Sequence, residues 1–149
     1  APEYSNMATT LSGVYIVDDE MFLLHVGNSR VYAKQGNYLK QLTSDHTTYN
    51  WLMSTGNFEA AQVCNKSEIT NCFGGGNVSL ISKLSVARCN SFSSLLLTTD
   101  GVHDYVSIDH LESILNSDAT GEEKCDQILT LAQAAGSADD LTVILACKD

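Results

Sequence analysis

Two apolar segments, each joined to aspartates, decide our interpretation of the fold. Residues 95–104 read LLLTTDGVHD, and residues 139–147 read DDLTVILAC. Each contains an apolar, β-branched run of strand length, which predicts two buried strands. Asp100 directly follows the first strand, and Asp139 stands just before the second. If the strands are antiparallel neighbours, these two carboxylates meet at one end of a sheet.

This arrangement has a metal-binding interpretation and an ordinary structural one. Carboxylates brought close together repel each other unless a cation joins them, and oxygen ligands suit Mg²⁺ or Mn²⁺. Gly101 lacks a Cβ, so its carbonyl group or a coordinated water can approach; Asp104 is expected to order the loop, and Asp140 to support the site. In the alternative, Asp100-Gly101 is a common turn and Asp139 a strand cap, and spacing alone does not decide between the two.

A second polar feature lies at Gly27-Asn28-Ser29-Arg30, between two predicted strands. One interpretation is a bulge that projects Asn28 or Arg30 into a functional site. The other is a tight hairpin, in which Asn28 tolerates a left-handed conformation and Arg30 is solvated. Judged on these residues alone, the hairpin is the simpler interpretation.

The rest of the chain predicts strands first, then helices, then a final strand, which indicates an α+β layered sandwich. Only one proline and no Gly/Ser linker are present, so residues 1–149 are interpreted as a single domain. The predicted strands are 9–17, 21–26, 30–34, 38–43, 78–86, 94–99 and a buried 141–147. The predicted helices are 48–54, 108–115 capped by Ser107, and one opened by a capping box at 120–123 and ending at Gly136.

Composition excludes some classes of function. The formal charge of −10, from 18 acidic and 8 basic residues, would repel a polyanion, so no nucleic-acid partner is expected. No stretch is long and apolar enough for a membrane span, and the N-terminus lacks a signal-peptide layout, so we expect a cytoplasmic protein. The five cysteines form no C-x-x-C pair, and Cys125 and Cys147 are interpreted as small core residues.

The remaining candidates favour structural roles. The four histidines are expected mainly at the surface, with His103 also considered as a general acid beside a phosphate site. The segment Trp51-Leu52-Met53 is expected to be core, and Gly74-Gly75-Gly76 lacks the lysine and helix start of a phosphate loop.

Six segments, in this order, resemble motifs of the metal-dependent Ser/Thr protein phosphatase family of type 2C. Residues 7–11 (MATTL) are similar to its Gly-Thr-Thr segment, and residues 25–32 (HVGNSRVY) to its Val-Gly-Asp-Ser-Arg motif. Residues 39–47 (LKQLTSDHT) resemble LxxLTxDHS, and residues 69–74 (ITNCFG) resemble LTRALG. Residues 95–107 (LLLTTDGVHDYVS) resemble LLLCSDGLTDxVS, and residues 139–144 (DDLTVI) resemble the terminal DNITVV. The resemblance covers nearly the whole chain.

The resemblance implies a four-layer α-β-β-α sandwich with two divalent metals, Mg²⁺ or Mn²⁺, at one end. In the family these metals activate a water that attacks phosphoserine or phosphothreonine in protein substrates. Carried over by position, Asp100 and Asp139 would be metal ligands. Asn28 occupies the position of an aspartate associated with an additional metal, and a neutral amide is the weaker ligand, so that additional site is expected to be impaired.

The chain departs from the family at its front. The family's Asp-Gly-x-Gly-Gly motif, its phosphate-binding arginine and several sandwich elements precede the Gly-Thr-Thr segment, and this sequence has six residues before Met7. Two expectations stay open. The chain is part of a longer phosphatase, weak or inactive by itself, or it is a reduced pseudophosphatase that acts on a protein partner as an interaction module. A homo-oligomer could cover the missing elements.

Overall fold

The computed structural model describes residues 7–18, 20–76, 83–88 and 92–147. Over these residues the elements, in chain order, are β1 (Ala8–Thr9), β2 (Leu11–Val17), β3 (Glu20–Val26), β4 (Arg30–Gln35), β5 (Tyr38–Gln41), α1 (Thr48–Ser54), α2 (Phe58–Val63), β6 (Phe73–Gly74), β7 (Lys83–Arg88), β8 (Ser94–Thr98), α3 (Asp100–His103), α4 (Ile108–Leu115), α5 (Gly121–Ala134) and β9 (Val143–Cys147). Sheets and helices together confirm the α+β class.

The chain divides into two compact units. The first contains the described residues of 1–29 and 44–88, and the second those of 30–43 and 92–149. The interpretation of residues 1–149 as one domain stays a prediction.

In the first unit, β2, β3 and β7 form a three-stranded antiparallel sheet in that order, and β1 pairs with β6 in a two-stranded ribbon. Met21, Leu23 and His25 alternate along β3 as buried residues, as expected for a strand with one face on a core. Helix α1 begins where the sequence predicts, with the Thr47 side chain accepting a hydrogen bond from the Asn50 backbone.

In the second unit, β5, β4, β8 and β9 form a four-stranded antiparallel sheet in that order. The helices α4 and α5 pack on it around a core that reaches from Tyr32 and Leu96 in the strands to Leu111 and Ile128 in the helices. Burial of this apolar surface is the main stabilising term. The caps of both helices are as predicted: Ser107 accepts from the His110 backbone, and Thr120 with Glu123 forms a complete capping box.

Several sequence-based expectations about strands and turns are wrong. The predicted hairpin at Gly27–Arg30 does not exist, because β3 pairs in the three-stranded sheet and β4 in the four-stranded one. Asn28 is not left-handed, since Asp18 is the non-glycine residue with positive φ among those described. The predicted strand 9–17 is interrupted at Thr10, and the helix α2 was not predicted. Of the predicted strand 78–86, residues 78–82 lie outside the described residues.

Burial also differs from expectation at several apolar and polar side chains. The strand β9 is an outer strand of its sheet, with Ile144 53% exposed and Cys147 exposed, so it is not the buried strand that its composition predicts. Trp51 and Met53 are exposed, and only Leu52 of that segment is buried. In contrast, His25 and His103 are buried, which contradicts the surface default. Among the described residues, no helix combines the length and apolar character needed to cross a bilayer.

Candidate metal-binding site

The structure pairs the two strands that the sequence predicts to be neighbours. β8 runs antiparallel to β9, with Thr98 opposite Val143, and β4 pairs with the other edge of β8, with Arg30 opposite Thr98. Arg30, Asp100 and Asp139 therefore lie at the same end of the four-stranded sheet. The juxtaposition predicted from strand pairing is present; the metal-binding role of these residues stays a prediction.

Backbone contacts beyond the strand ends hold the two aspartate segments together. The Thr99 hydroxyl donates to the carbonyl oxygen of Asp140 at 3.2 Å and accepts from the Thr142 N–H at 3.0 Å. The Thr99 N–H also donates to the Thr142 carbonyl oxygen at 3.2 Å. The segment that carries Asp139 is thus fastened to the residue that precedes Asp100.

Gly101 is the point of closest approach between these segments. It is buried, and a Cβ at this residue would lie 2.7 Å from the Asp140 carbonyl oxygen and 3.2 Å from Asp139 Cβ. Its own carbonyl oxygen accepts a hydrogen bond from the Ser137 hydroxyl at 2.7 Å. The sequence predicts that the missing Cβ of Gly101 matters; in the structure, its absence makes room for the Asp140 carbonyl oxygen and the Cβ of Asp139.

Both aspartate side chains are oriented by the next peptide. Oδ1 of Asp100 accepts from the Gly101 N–H at 3.0 Å, and Oδ1 of Asp139 accepts from the Asp140 N–H at 2.8 Å. Asp100 is the first residue of α3, where a carboxylate is favoured by the exposed N–H groups of a helix start. Asp100 is half-buried, whereas Asp139 and Asp140 are exposed.

Of the other predicted site residues, Asp104 belongs to the second unit, whereas Asn28 and Ser29 belong to the first. Asp104 caps the C-terminal end of α3, where its N–H donates to the Asp100 carbonyl oxygen at 3.0 Å. Asn28 is 6% exposed, and the Ser29 carbonyl oxygen accepts from the Ser12 hydroxyl at 3.1 Å.

His103 does not have the surroundings expected of a general acid. The residue is 8% exposed, and its Nδ1 lies 2.8 Å from the hydroxyl oxygen of Thr98, which is itself buried in β8. The hydrogen bond links the helix α3 to the sheet. This contact favours a structural role for His103, and its role as a general acid stays a prediction.

A shallow depression adjoins Asp139 and Asp140. Its volume is about 370 Å³, and it is lined by Leu129 and Gln133 of α5 and by residues 137–141. Within the described residues, no group of three or more His, Cys, Asp and Glu side chains has the geometry to hold a metal ion.

Sequence reasoning missed Thr99 and Ser137, the two residues whose hydroxyls fasten the site. Thr99 carries a weak signal, since threonine is common just before a helix start. Ser137 carries none, because its partner Gly101 lies 36 positions away in sequence.

The known proteins to which this chain is similar include bacterial phosphatases. The serine/threonine phosphatase Stp of Listeria monocytogenes is 31% identical over 151 residues, which cover 99% of this chain and 59% of that protein. The structure of serine/threonine phosphatase Stp1 from Staphylococcus aureus matches 100% of this chain with a TM-score of 0.88 and 32% identity. The chain is homologous over nearly its whole length to type 2C protein phosphatases.

A further solved structure shares the fold of this chain, and the chain covers only part of the length of its relatives. The catalytic domain of the phosphatase PstP, in complex with two manganese ions, shares the type 2C fold, with a TM-score of 0.80 at 24% identity over 98% of this chain. No protein-family profile matches the chain. The chain spans about three-fifths of the length of the type 2C relatives that it matches, 59% of Stp.

Proposed function

We propose that this chain supplies one half of the metal centre of a type 2C Ser/Thr protein phosphatase. The observation that supports the proposal is the convergence of Asp100 and Asp139 at one end of the four-stranded sheet, fastened by Thr99 and Gly101. The reaction would be the Mg²⁺- or Mn²⁺-dependent hydrolysis of phosphoserine and phosphothreonine in proteins.

The donor set fits such an ion. Asp100 and Asp139 offer carboxylate oxygens only, which are the ligands preferred by hard divalent cations. The N–H groups that bind each Oδ1 fix both carboxylates before a metal arrives, as the outer partners of metal ligands commonly do. When bound, the metal ions would supply an activated water and stabilise the charge that develops on the phosphoryl group.

The residues of this chain would contribute binding and orientation. Asp100 and Asp139 would hold metal, Gly101 would keep them close, and Asp104 would order the end of α3. Two carboxylates are few for a bridged pair of octahedral ions, so we propose that further ligands come from a portion equivalent to the unmatched two-fifths of the relatives. The chain alone is then expected to bind metal weakly and to turn over phosphate esters slowly.

Calorimetric titration of the chain with Mn²⁺ tests this proposal. We expect weak binding by the unmodified chain, a further loss in Asp100→Asn and in Asp139→Asn, and no change in Asp109→Asn, an exposed carboxylate in the first turn of α4. Equal affinity in all four proteins would overturn the assignment. Turnover of p-nitrophenyl phosphate with Mn²⁺, abolished by Asp100→Asn, would extend the assignment to catalysis by this chain.

A second candidate function is a non-catalytic module that binds a phosphoprotein or another protein partner. Asn28 favours it, because an amide stands where the family has an aspartate associated with an additional metal. This candidate predicts that no Mn²⁺ binding is measurable and that the protein elutes and scatters light as a homo-oligomer. Tight binding of two Mn²⁺ ions by the chain would exclude it.

A further inference from the structure

A cluster of polar side chains in the first unit has no part in the function proposed above. His25, in β3, and His46, just before α1, lie with their ring centroids 4.8 Å apart and their planes at 42°. His25 is 1% exposed, and Asn71, which also contacts His46, is 7% exposed. Burying a polar group costs free energy unless its hydrogen bonds are made. The hydrogen bonds of these side chains therefore indicate which ring nitrogens are protonated.

His46 binds both sides of a single residue, Gly27. Its backbone N–H donates to the Gly27 carbonyl oxygen at 2.8 Å, and its ring Nδ1 accepts from the Gly27 N–H at 3.1 Å. A backbone N–H can only donate, so Nδ1 carries no proton. The ring of His46 is therefore the neutral tautomer with its proton on Nε2.

The backbone of Gly27 needs this support because its conformation is unusual. Its φ is +116°, and a Cβ at this position would lie 2.4 Å from Cβ of Thr10. Glycine is conformationally permissive, so the left-handed geometry at Gly27 must be selected by its contacts. His46 supplies a partner for both the N–H and the C=O of that residue.

The ring and backbone of His46 are themselves held from a second direction. Asn71 Nδ2 lies 3.1 Å from the same Nδ1, and the Thr70 N–H donates to the His46 carbonyl oxygen at 2.8 Å. Residues 70 and 71 follow the helical segment α1–α2 and lead into β6. His46 thus connects this segment to the end of β3.

His25 fastens the same stretch two residues earlier. Its Nε2 lies 3.0 Å from the Ser44 carbonyl oxygen, which can only accept, so Nε2 carries a proton. Its Nδ1 lies 2.8 Å from the Ser12 hydroxyl oxygen in the neighbouring strand β2. His25 therefore donates through Nε2, whereas His46 accepts through Nδ1. Together these two bonds hold residues 44–46 against residues 25–27.

We propose that His46, as the neutral Nε2–H tautomer, is a positioning residue that fixes the backbone of Gly27. Its ring holds the N–H of the Val26–Gly27 peptide, and its backbone N–H holds the carbonyl oxygen of the Gly27–Asn28 peptide. Asn28 stands where the family has an aspartate associated with an additional metal. By holding the backbone of Gly27, His46 would set the position of Asn28. This functional meaning rests on the proposed phosphatase relationship, whereas the hydrogen-bonding role does not depend on it.

Two substitutions separate hydrogen bonding from packing. His46→Asn keeps an acceptor, since the asparagine Oδ1 reaches about the place of the histidine Nδ1, whereas His46→Leu fills the space without an acceptor. We expect the Gly27 amide hydrogen to exchange about tenfold faster in His46→Leu, the factor that corresponds to one hydrogen bond, and near the wild-type rate in His46→Asn. His110→Leu, at an exposed histidine of α4 in the second unit, is the matched control and is expected to leave Gly27 unchanged.

Imidazole ¹⁵N spectra of the unmodified chain provide the second measurement. They distinguish a protonated from an unprotonated Nδ1, and we expect an unprotonated Nδ1 in His46 at neutral pH. A protonated Nδ1, or equal exchange rates in the asparagine and leucine variants, would overturn the proposal. If His46→Leu does not fold, the ¹⁵N spectrum and the asparagine variant still decide. Failure of Mn²⁺ binding with these results intact would count against the phosphatase proposal alone.

Discussion

Gly101 approaches Asp140 so closely that a methyl group in place of its hydrogen would lie 2.7 Å from the Asp140 carbonyl oxygen. The same methyl group would lie 3.2 Å from Asp139 Cβ. Backbone atoms cannot move aside as the end of a flexible side chain can. The close approach of the Asp100-Gly101 segment to the Asp139-Asp140 segment therefore depends on the absence of a side chain at Gly101.

Gly101→Ala is expected to lower the free energy of unfolding by about 1–3 kcal/mol, the usual cost of overpacking. Urea denaturation followed by circular dichroism measures this loss. Gly121→Ala is the matched control, because a Cβ there would meet only Leu145 Cδ2 at 4.0 Å, an ordinary contact, and no loss is expected. Equal stability of Gly101→Ala and the unmodified protein would contradict the close approach.

The capping box of α5 should contribute to stability in a pH-dependent way. The pKa of Glu123 lies below its ordinary value because the carboxylate accepts hydrogen bonds from the Thr120 backbone and side chain. Since the folded-state pKa is depressed, the contribution is complete above the unfolded pKa, about 4.3. It is lost as the pH falls through the folded pKa.

Two variants measure this contribution. Thr120→Ala removes the N-cap and should cost about 1 kcal/mol at neutral pH. Glu123→Gln should be less stable than the unmodified protein at pH 7, and the difference should shrink at acid pH. A difference that stays constant between pH 7 and pH 3 would mean that the ionised carboxylate is not involved.

The cysteines of the second unit should differ in reactivity. Burial raises the pKa of the Cys125 thiol, opposed by a hydrogen bond with the Leu145 backbone and reinforced by Asp126 and Cys147 nearby. The thiolate is the reactive form, so Cys125 should be alkylated slowly at neutral pH. Cys147 is exposed at the end of β9 and should react first with iodoacetamide, as followed by peptide mass spectrometry. Faster labelling of Cys125 would contradict this prediction.

Two isoleucines provide a test of whether the outer face of β9 is covered in solution. Ile128→Ala removes a side chain that is 0% exposed and should cost about 2–5 kcal/mol. Ile144 is 53% exposed, so Ile144→Ala should change the stability of a monomer by no more than about 0.5 kcal/mol.

Light scattering shows whether the outer face of β9 is covered by a second copy of the chain or exposed in a monomer. If copies of the chain associate through this face, the unmodified protein has an oligomeric mass and Ile144→Ala shifts it toward the monomer. A monomeric mass for both the unmodified protein and Ile144→Ala would contradict the homo-oligomer that the sequence suggests. Self-association would then not be the way in which the outer strand β9 is covered.

Local signals predicted the helices best. Ser107 and the Thr120–Glu123 pair, predicted as helix starts, mark them in the structure, because an N-cap requires only a side chain and the N–H groups two or three residues later. The helix α2 was missed although asparagine is favoured at N-caps; in the structure, the side chain of Asn57 makes no cap hydrogen bond. The convergence of Asp100 and Asp139 was also predictable, since each directly adjoins a strong strand pattern.

What the sequence determined by itself is therefore the order of most strands and of the helices α1, α4 and α5, the caps of α4 and α5, and the placement of two aspartates at paired strand ends. These follow from hydrophobic period, local hydrogen bonding and adjacency in the chain. The tertiary structure alone decided that β3 and β4 enter different sheets, that β9 is an exposed outer strand, and that His25 and His103 are buried. Burial and pairing depend on partners remote in sequence, such as Ser137 for Gly101 and His46 for Gly27, and no local pattern specifies which remote residue will arrive.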